Sequence, residues 1–460
     1  MDKFRTAKDT LGEVQVPVDV YYGAQTQRAV ENFPISGLRL PPAFVKAQAI
    51  IKASAASSNK QCGALDAKKA ENIIQAAEEI IEGKWLDQFV VDAYQAGAGT
   101  SQNMNMNEVI ASRASELMGG EKGDFSIVHP NDDVNMSQST NDTIPTAIQL
   151  SIADQLHNVL YPAIDQLIAQ LDEKEGEFHS VVKAGRTHLQ DAVPIRLGSE
   201  FKGYKGAVQS VKKSLKHAEK SLYELGLGGN AVGTGINAHE NYAKLAIQEL
   251  AKRTDLPYVQ SENTYSFMQN TNAAIRISGH LKELAVHLIK ISSDLRLLSS
   301  GPRTGLAEIS LPAVQPGSSI MPGKINPVIL ENLYMICSQV IGNDTCVTTA
   351  AIGSQLEINP MMPVIGYNVL QSITIISNGM KVFTEKCLKE IKANEENITK
   401  WLDQSLSLVT ALNPHIGYEK AAAIAKESFE TGKMLKEILV EKGIFTSEEA
   451  EKILDPKNML

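Results

Sequence analysis

Between Leu281 and Leu298 the apolar residues Leu281, Leu284, Ala285, Leu288, Ile291, Leu295 and Leu298 recur at steps of three and four, with Lys282, Glu283, Lys290 and Asp294 falling off that stripe. This period is that of an α-helix with one buried face. Text of the same kind runs from about Pro145 to Val182, from Leu197 to Leu225, from Val328 to Val340 and from about Pro363 to Ile391. Strand-like alternation is scarce, so an all-α fold is expected. Helices this long, joined antiparallel, form a bundle. Their small residues and high apolar content point to burial on more than one face, against helices of other subunits.

The ends of the chain read differently. Residues 1 to about 40 carry turn signals at Tyr21-Tyr22-Gly23 and Pro34-Ile35-Ser36-Gly37, which predicts an irregular arm. From Ala43 to about Gly83 the text is alanine-rich and helix-favouring, with a break near Gly63. Beyond Ala393 shorter helices are expected, roughly Asn394 to Ala411, Tyr418 to Gly432, Met434 to Lys442 and Ser447 to Leu454. Asn413-Pro414 and Gly443 are the breaks, and a small C-terminal helical domain follows from them. The length of 460 residues allows one to three domains.

Composition excludes several classes of function. A net charge of −9 offers no overall basic field for nucleic acid or an anionic membrane. No apolar run approaches the length of a membrane span. The charged start, Met1 to Thr6, lacks a following apolar core and is not expected to act as a secretory signal. Cys62, Cys337, Cys346 and Cys387 have neither zinc-site spacing nor the density of a disulfide framework, which makes a reducing cytoplasm the expected compartment.

Against this background four polar stretches stand out. The richest is Gly317-Ser318-Ser319-Ile320-Met321-Pro322-Gly323-Lys324-Ile325-Asn326-Pro327, a loop that leads into helical text with Asn326 suited to the N-cap and Pro327 to the first helical position. Glycine and serine also make ordinary turns, but a glycine-rich loop beside a helix N-terminus gathers free N–H donors and positive potential. It suits a carboxylate, or negative charge that develops during a reaction. The other three are Gly97 to Glu108, His129 to Asp142, and Gly185 to Ala192, all expected as loop or cap text. His188 lies among loop residues beside Arg186 and Thr187, where a histidine can carry or shuttle a proton. His157, His179, His217, His239, His280, His287 and His415 lack such company and are expected to be structural or solvated. Together these stretches suit proton removal next to a carboxylate, which needs a base, clustered donors and a cation. Ser318 serves as that base only as an alkoxide, stabilised by backbone N–H groups and a cation such as Lys324.

The Ser318 loop resembles the signature Gly-Ser-Ser-x-Met-Pro-x-Lys-x-Asn-Pro of the fumarase/aspartase superfamily, and the four polar stretches occur in that family's order along essentially the whole chain. The resemblance implies an all-helical protein with an N-terminal domain over 1–140, a central helical-bundle domain over 141–392 and a C-terminal domain over 393–460. It also implies a homotetramer whose active sites draw loops from three subunits, a small dicarboxylate substrate, and neither organic cofactor nor metal. By matching position, Ser318 is the implied base, and His188 with Glu331 the implied pair that works with water in fumarases. Lys324 and Asn326 would hold a substrate carboxylate, with Thr100, Ser101, Ser139, Thr140, Asn141, Thr187 and Ser319 completing the pocket. His129, Asn131 and Asp132 mark a candidate second anion site.

The text is a mosaic of two activities within that family. Tyr21-Tyr22-Gly23, Asp87 to Asp92, Gly97-Ala98-Gly99-Thr100-Ser101 and Gln138-Ser139-Thr140-Asn141-Asp142 look like aspartate ammonia-lyases. His188, Asn103 to Glu108, His129 to Asp133 and Leu408 to Tyr418 are closer to fumarases. Because the hydroxyls of Thr100, Ser101, Ser139 and Thr140 are expected to face substrate, they carry the greater weight, and an ammonia-lyase is the leading expectation. Pro360 stands where both patterns usually have Val, and Met362 where ammonia-lyases have Glu.

Overall fold

The computed structural model describes residues 4–460. In chain order its elements begin with β1 (Phe4–Asp9), β2 (Gly12–Pro17), α1 (Ala24–Asn32), α2 (Pro42–Gln61), α3 (Ala67–Ile81), α4 (Thr100–Leu117), α5 (Thr140–Gln155), α6 (Tyr161–Glu177), β3 (Val182–Thr187), β4 (Gln190–Arg196) and α7 (Leu197–Glu219). They continue with β5 (Glu224–Leu225), α8 (Tyr242–Thr254), β6 (Val259–Gln260), α9 (Thr264–Gln269), α10 (Asn272–Leu298), β7 (Ile309–Ser310), α11 (Val328–Ile352), α12 (Met362–Lys386) and β8 (Lys392–Ala393). The chain ends in α13 (Glu395–Asp403), α14 (Asn413–Ile416), α15 (Tyr418–Thr431), α16 (Leu435–Glu441) and α17 (Ser447–Leu454). Helix dominates, and the strands occur only as short pairs, so the fold is all-α as expected.

Contacts divide the chain into two compact units. One comprises Met1–Pro162, Lys212–Ala285 and Ser338–Ser377; the other comprises Ala163–Val211, Val286–Cys337 and Asn378–Leu460.

In the first unit α2 is buried nearly all round, and its alanine and serine text is the reason. Side chains as small as those of Ala49, Ala53, Ser54 and Ala56 let neighbouring helices approach closely. A core of Val45, Ile73, Ile80, Val109, Ile110 and Val128 fills the space between α2, α3 and α4. Such side chains contribute roughly 1.5–3 kcal/mol each when fully buried. Asp66 caps α3 by accepting from Lys68 N and Lys69 N, while Cys62-Gly63 ends α2, with Gly63 at φ 72°. In this unit α10 meets α11 through Ser278 Oγ, which donates to Asp344 Oδ1 at 2.8 Å, and α11 meets α12 through Asn343 Nδ2, which donates to Ser372 Oγ at 3.0 Å.

The second unit has its own core. Leu402, Leu412, Ile424, Ile438, Leu439 and Leu454 from the C-terminal helices enclose Ala184 of β3, with Val182 packed against them. Ser292 Oγ of α10 donates to Leu330 O of α11 at 2.7 Å, and Gly379 of α12 lies so close to Ile336 that an added Cβ would meet it at 2.9 Å.

Three expectations are corrected. The N-terminal arm is ordered, because β1 and β2 pair antiparallel around Gly12 at φ 113° and α1 follows. The Asn-rich text after Gly97 is helix from Thr100 onward, although asparagine is a poor helix former. Tertiary partners absorb its amides, as where Asn105 Nδ2 donates to Gln88 O at 3.0 Å and Asn105 Oδ1 accepts from Val90 N at 3.1 Å. Finally, the Gly185 stretch is a β3–β4 hairpin, in which an added Cβ on Gly185 would lie 2.5 Å from Val193 O.

Candidate active site

Ser318 sits on a loop stapled at its base. Gly317 N donates to Lys324 O at 2.8 Å, and Asn326 Nδ2 donates to Gly317 O at 2.6 Å. Only glycine fits at 317, since an added Cβ would come within 2.5 Å of Lys324 O and 2.7 Å of Asn326 N. The staple turns the chain so that Ser318 Oγ accepts from Met321 N at 2.9 Å and from Ile320 N at 3.2 Å. Two backbone N–H groups aimed at one hydroxyl oxygen favour its negatively charged form. Pro316, Gly317, Ser318, Met321 and Lys324 line a recess of about 540 Å³. Lys324 is exposed and has no ion-pair partner among the described residues, and Ser319 is likewise exposed. Glu331 occupies the first turn of α11, where its charge suits the helix dipole.

Thr187 and His188 lie at the tip of the β3–β4 hairpin. Thr187 pairs with Gln190, leaving His188 and Leu189 as a two-residue turn at φ 54° and 61°. Both central residues at positive φ define a type I′ turn, normally the province of Asn and Gly. The hairpin is anchored from below by a buried charge cluster. Lys183 Nζ donates to Glu200 Oε1 at 2.7 Å and lies 3.0 Å from Glu308 Oε2, and Arg186 Nη1 donates to Glu308 Oε1 at 2.7 Å. Burial pushes the Glu200 carboxyl above its ordinary range, against the pull of Lys183. Within one chain the His188 ring shares no hydrogen bond with Glu331 or with the Ser318 loop among the described residues.

The remaining candidates lie in the first unit, and the structure brings five of them together at two adjacent helix starts. Thr100 and Ser101 open α4 behind Ala98 and Gly99, at φ 58° and 85°. Gly99 packs against Ile144 of α5, where an added Cβ would meet it at 3.1 Å, and the Ala98 N–H is held by Pro360 O at 2.7 Å. Ser139, Thr140 and Asn141 open α5. Ser139 forms a capping box with Asp142, Thr140 Oγ1 accepts from Asn103 Nδ2 at 3.2 Å, and Asn141 Nδ2 donates to Ala231 O at 2.7 Å. Paired helix N-termini carrying hydroxyls and amides suit a carboxylate. His129, Asn131 and Asp132 form a single π-turn over Pro130–Val134, in which His129 Nδ1 accepts from Asp132 N at 3.1 Å and Asn131 Nδ2 contacts Met104 Sδ at 3.7 Å.

Residues that the sequence reading passed over hold this wall in place. Asp142 is fully buried and accepts from Ser139 N at 2.9 Å and from Gly228 N and Asn230 N at 3.0 Å. Burial pushes its carboxyl up to about 6, while these donors and Lys52 pull the other way. The only signal was the glycine density from Gly226 to Gly235, where Gly228, Asn230, Gly233 and Gly235 all take positive φ. Among the histidines expected to be structural, His157 is bonded to the buried Glu219, which also accepts from Tyr161 Oη at 2.7 Å.

No helix among the described residues is long and apolar enough to cross a membrane. Two family models match the chain, one described as Lyase over residues 12–342 and one as Fumarase C C-terminus over residues 408–460. The aspartate ammonia-lyase of Bacillus subtilis (strain 168) is 49% identical over 457 residues, which cover 99% of this chain and 96% of that protein. A class II fumarate hydratase of Thermosynechococcus vestitus is 48% identical over 448 residues, covering 97% of this chain and 96% of that one. The crystal structure of the class II fumarase from Schistosoma mansoni matches with a TM-score of 0.97 at 38% identity and covers 99% of both chains. Likeness of nearly equal size to two activities fixes the family and its lyase chemistry rather than the substrate. With both family models and near-full-length relatives in agreement, the chain belongs to the fumarase/aspartase superfamily.

Proposed function

We propose that this enzyme catalyses the reversible anti elimination of ammonia from L-aspartate to give fumarate. The observation that carries the reaction class is the pair of backbone N–H groups on Ser318 Oγ, beside Lys324 in an open recess. Ser318 takes the Cβ proton, the electron pair of that C–H bond becomes the Cα–Cβ double bond of fumarate, and the C–N bond breaks with its electron pair leaving with ammonia. By the family resemblance, negative charge built on the neighbouring carboxylate in between is held by Lys324 and Asn326, with Thr100, Ser101, Ser139, Thr140, Asn141 and Thr187 completing a pocket assembled from loops of different subunits. The choice of aspartate rests on the Thr100-Ser101 and Ser139-Thr140 pairs, whose text resembles ammonia-lyases.

The second reading is a class II fumarate hydratase, which adds water to fumarate to give L-malate. It is favoured by His188, held in a left-handed conformation at the hairpin tip, which with Glu331 matches the pair that the family resemblance implies for fumarases. His129, Asn131 and Asp132 remain a candidate second anion site in either case.

The working unit of this reading is a homotetramer with active sites shared between subunits. Supporting it, the exposed face of α11 carries Asn332, Met335, Gln339, Gly342, Thr345, Thr349 and Ile352 without a single charge, with Met335 64% and Ile352 77% exposed. An uncharged helix face of this length is interface text. The reducing cytoplasm is the proposed compartment, on the strength of the unpaired cysteines. The test is fumarate formation from L-aspartate and from L-malate, side by side, with the purified protein. Preference for aspartate with release of ammonia supports the first reading; preference for malate replaces it with the second.

A further inference from the structure

Lys52 lies in the middle of α2, fully buried, and the elimination as described makes no use of it. Its Nζ donates to Asn135 Oδ1 and to Gln138 Oε1, both at 3.0 Å. Asn135 Oδ1 is at the same time the acceptor for Asn103 Nδ2 at 3.2 Å and Asn107 Nδ2 at 3.1 Å. Asn103 Nδ2 in turn reaches Thr140 Oγ1 at 3.2 Å. Around the same ammonium group the segment closes on itself, because Asn135 Nδ2 donates to Gln138 O at 3.1 Å and Gln138 Nε2 to Val134 O at 3.0 Å. A continuous run of hydrogen bonds therefore joins a buried cation to a hydroxyl expected to face substrate.

Such a cation is costly. Its direct partners are neutral amides, and Asp142 on α5 is the charged group that acts on it; burial nevertheless pushes the ammonium down to about 7. A position that needed only packing would be served better by an apolar side chain of similar volume. What the ammonium supplies is a fixed set of donors and positive potential beneath the first turn of α5.

We propose that Lys52 is a positioning residue for the elimination: through Asn135 and Asn103 it holds the Thr140 hydroxyl, and with it the start of α5, in the arrangement that receives a substrate carboxylate. The inference rests on the proposed role of Thr140.

The experiment compares the full-length enzyme with Lys52→Met, Thr140→Val and the double variant, measuring kcat, KM and thermal stability with the preferred substrate. Losing one directed, charge-supported hydrogen bond to the carboxylate is expected to raise KM about tenfold in each single variant, with kcat changed less than about threefold. The double variant is expected to be no worse than Thr140→Val, since both act through one hydroxyl. An unchanged KM in Lys52→Met alongside a lowered melting temperature overturns the proposal, as does a KM in the double variant that multiplies the two single effects. If Lys52→Met does not fold, Asn103→Ala cuts the link to Thr140 while leaving both bonds of Lys52; it is expected to raise KM to the same degree and likewise add nothing to Thr140→Val. A normal KM in Asn103→Ala is again a refutation. Should Thr140→Val itself leave KM unchanged for both aspartate and malate, the role of Thr140 fails, and the inference fails with it.

Discussion

Lys183→Met tests whether the buried charge cluster under the β3–β4 hairpin holds its tip. Lys183 is 2% exposed in its side chain and serves two carboxylates, Glu200 at 2.7 Å and the wholly buried Glu308 at 3.0 Å. Methionine keeps the apolar stem, so packing is largely preserved and the loss is electrostatic. A hydrogen bond to a charged group contributes about 1.5–3 kcal/mol, and two such contacts agree with the roughly 3–5 kcal/mol found when one partner of a buried ion pair is removed. Arg186 still reaches Glu308, which places the expected loss toward the lower end of that range. At about 1.4 kcal/mol per tenfold, hydrogen exchange of the β3–β4 amides should quicken by about a hundredfold or more. The sign of its pH dependence follows from Glu200. Without Lys183 the folded carboxyl titrates still further above its unfolded value, so the native state binds more protons and the variant regains stability as pH falls through that value. The deficit against wild type should shrink from pH 7.5 toward pH 5. Unchanged exchange in the hairpin, or a deficit that grows on acidification, would refute the reasoning.

Three further outcomes are expected. Ser318→Ala should lower turnover by at least about 10³-fold while the assembly and its melting temperature stay unchanged, and full activity in that variant removes Ser318 as the base. Since burial lowers the Lys52 ammonium to about 7 in the folded protein, the native state binds fewer protons than the unfolded chain between there and its ordinary value; wild type should therefore gain stability relative to Lys52→Met as pH rises from about 7 to about 10, and a loss over that range reverses the sign. Leu189→Gly should raise the stability of the hairpin by up to about 1 kcal/mol by relieving a leucine held at φ 61°, and increased amide exchange at Thr187 and Gln190 would contradict this.

Much of the fold was written locally. The three- and four-residue steps from Leu281 to Leu298 became α10, the entry at Asn326-Pro327 lies just ahead of α11, and the breaks at Gly63 and Gly443 fell between helices, whereas Asn413-Pro414 opens the short α14 instead of separating helices. These features are legible because periodicity, caps and glycine breaks act over a few residues. The Ser318 loop was legible for the same reason, its staple closing between Gly317 and Asn326, nine positions apart.

Tertiary structure decided the rest. The text from Gly97 to Asn107 reads as loop by propensity, yet α4 takes it over from Thr100 because its amides find partners at Gln88, Val90 and Asn135. Asp142 looks like part of an ordinary N-cap cluster, and nothing nearby in sequence says that Gly228 and Asn230 will donate to it. Lys52 reads as one lysine in alanine-rich helix and emerges as a buried cation beneath Thr140. By itself the sequence determined most of the long helices, the form of the Ser318 loop and the family, all of which depend on neighbours along the chain. Only the fold decided which charges are buried and which hydroxyls they steer, because those energies depend on neighbours in space, between residues as far apart as Lys52 and Gln138 or Asp142 and Asn230.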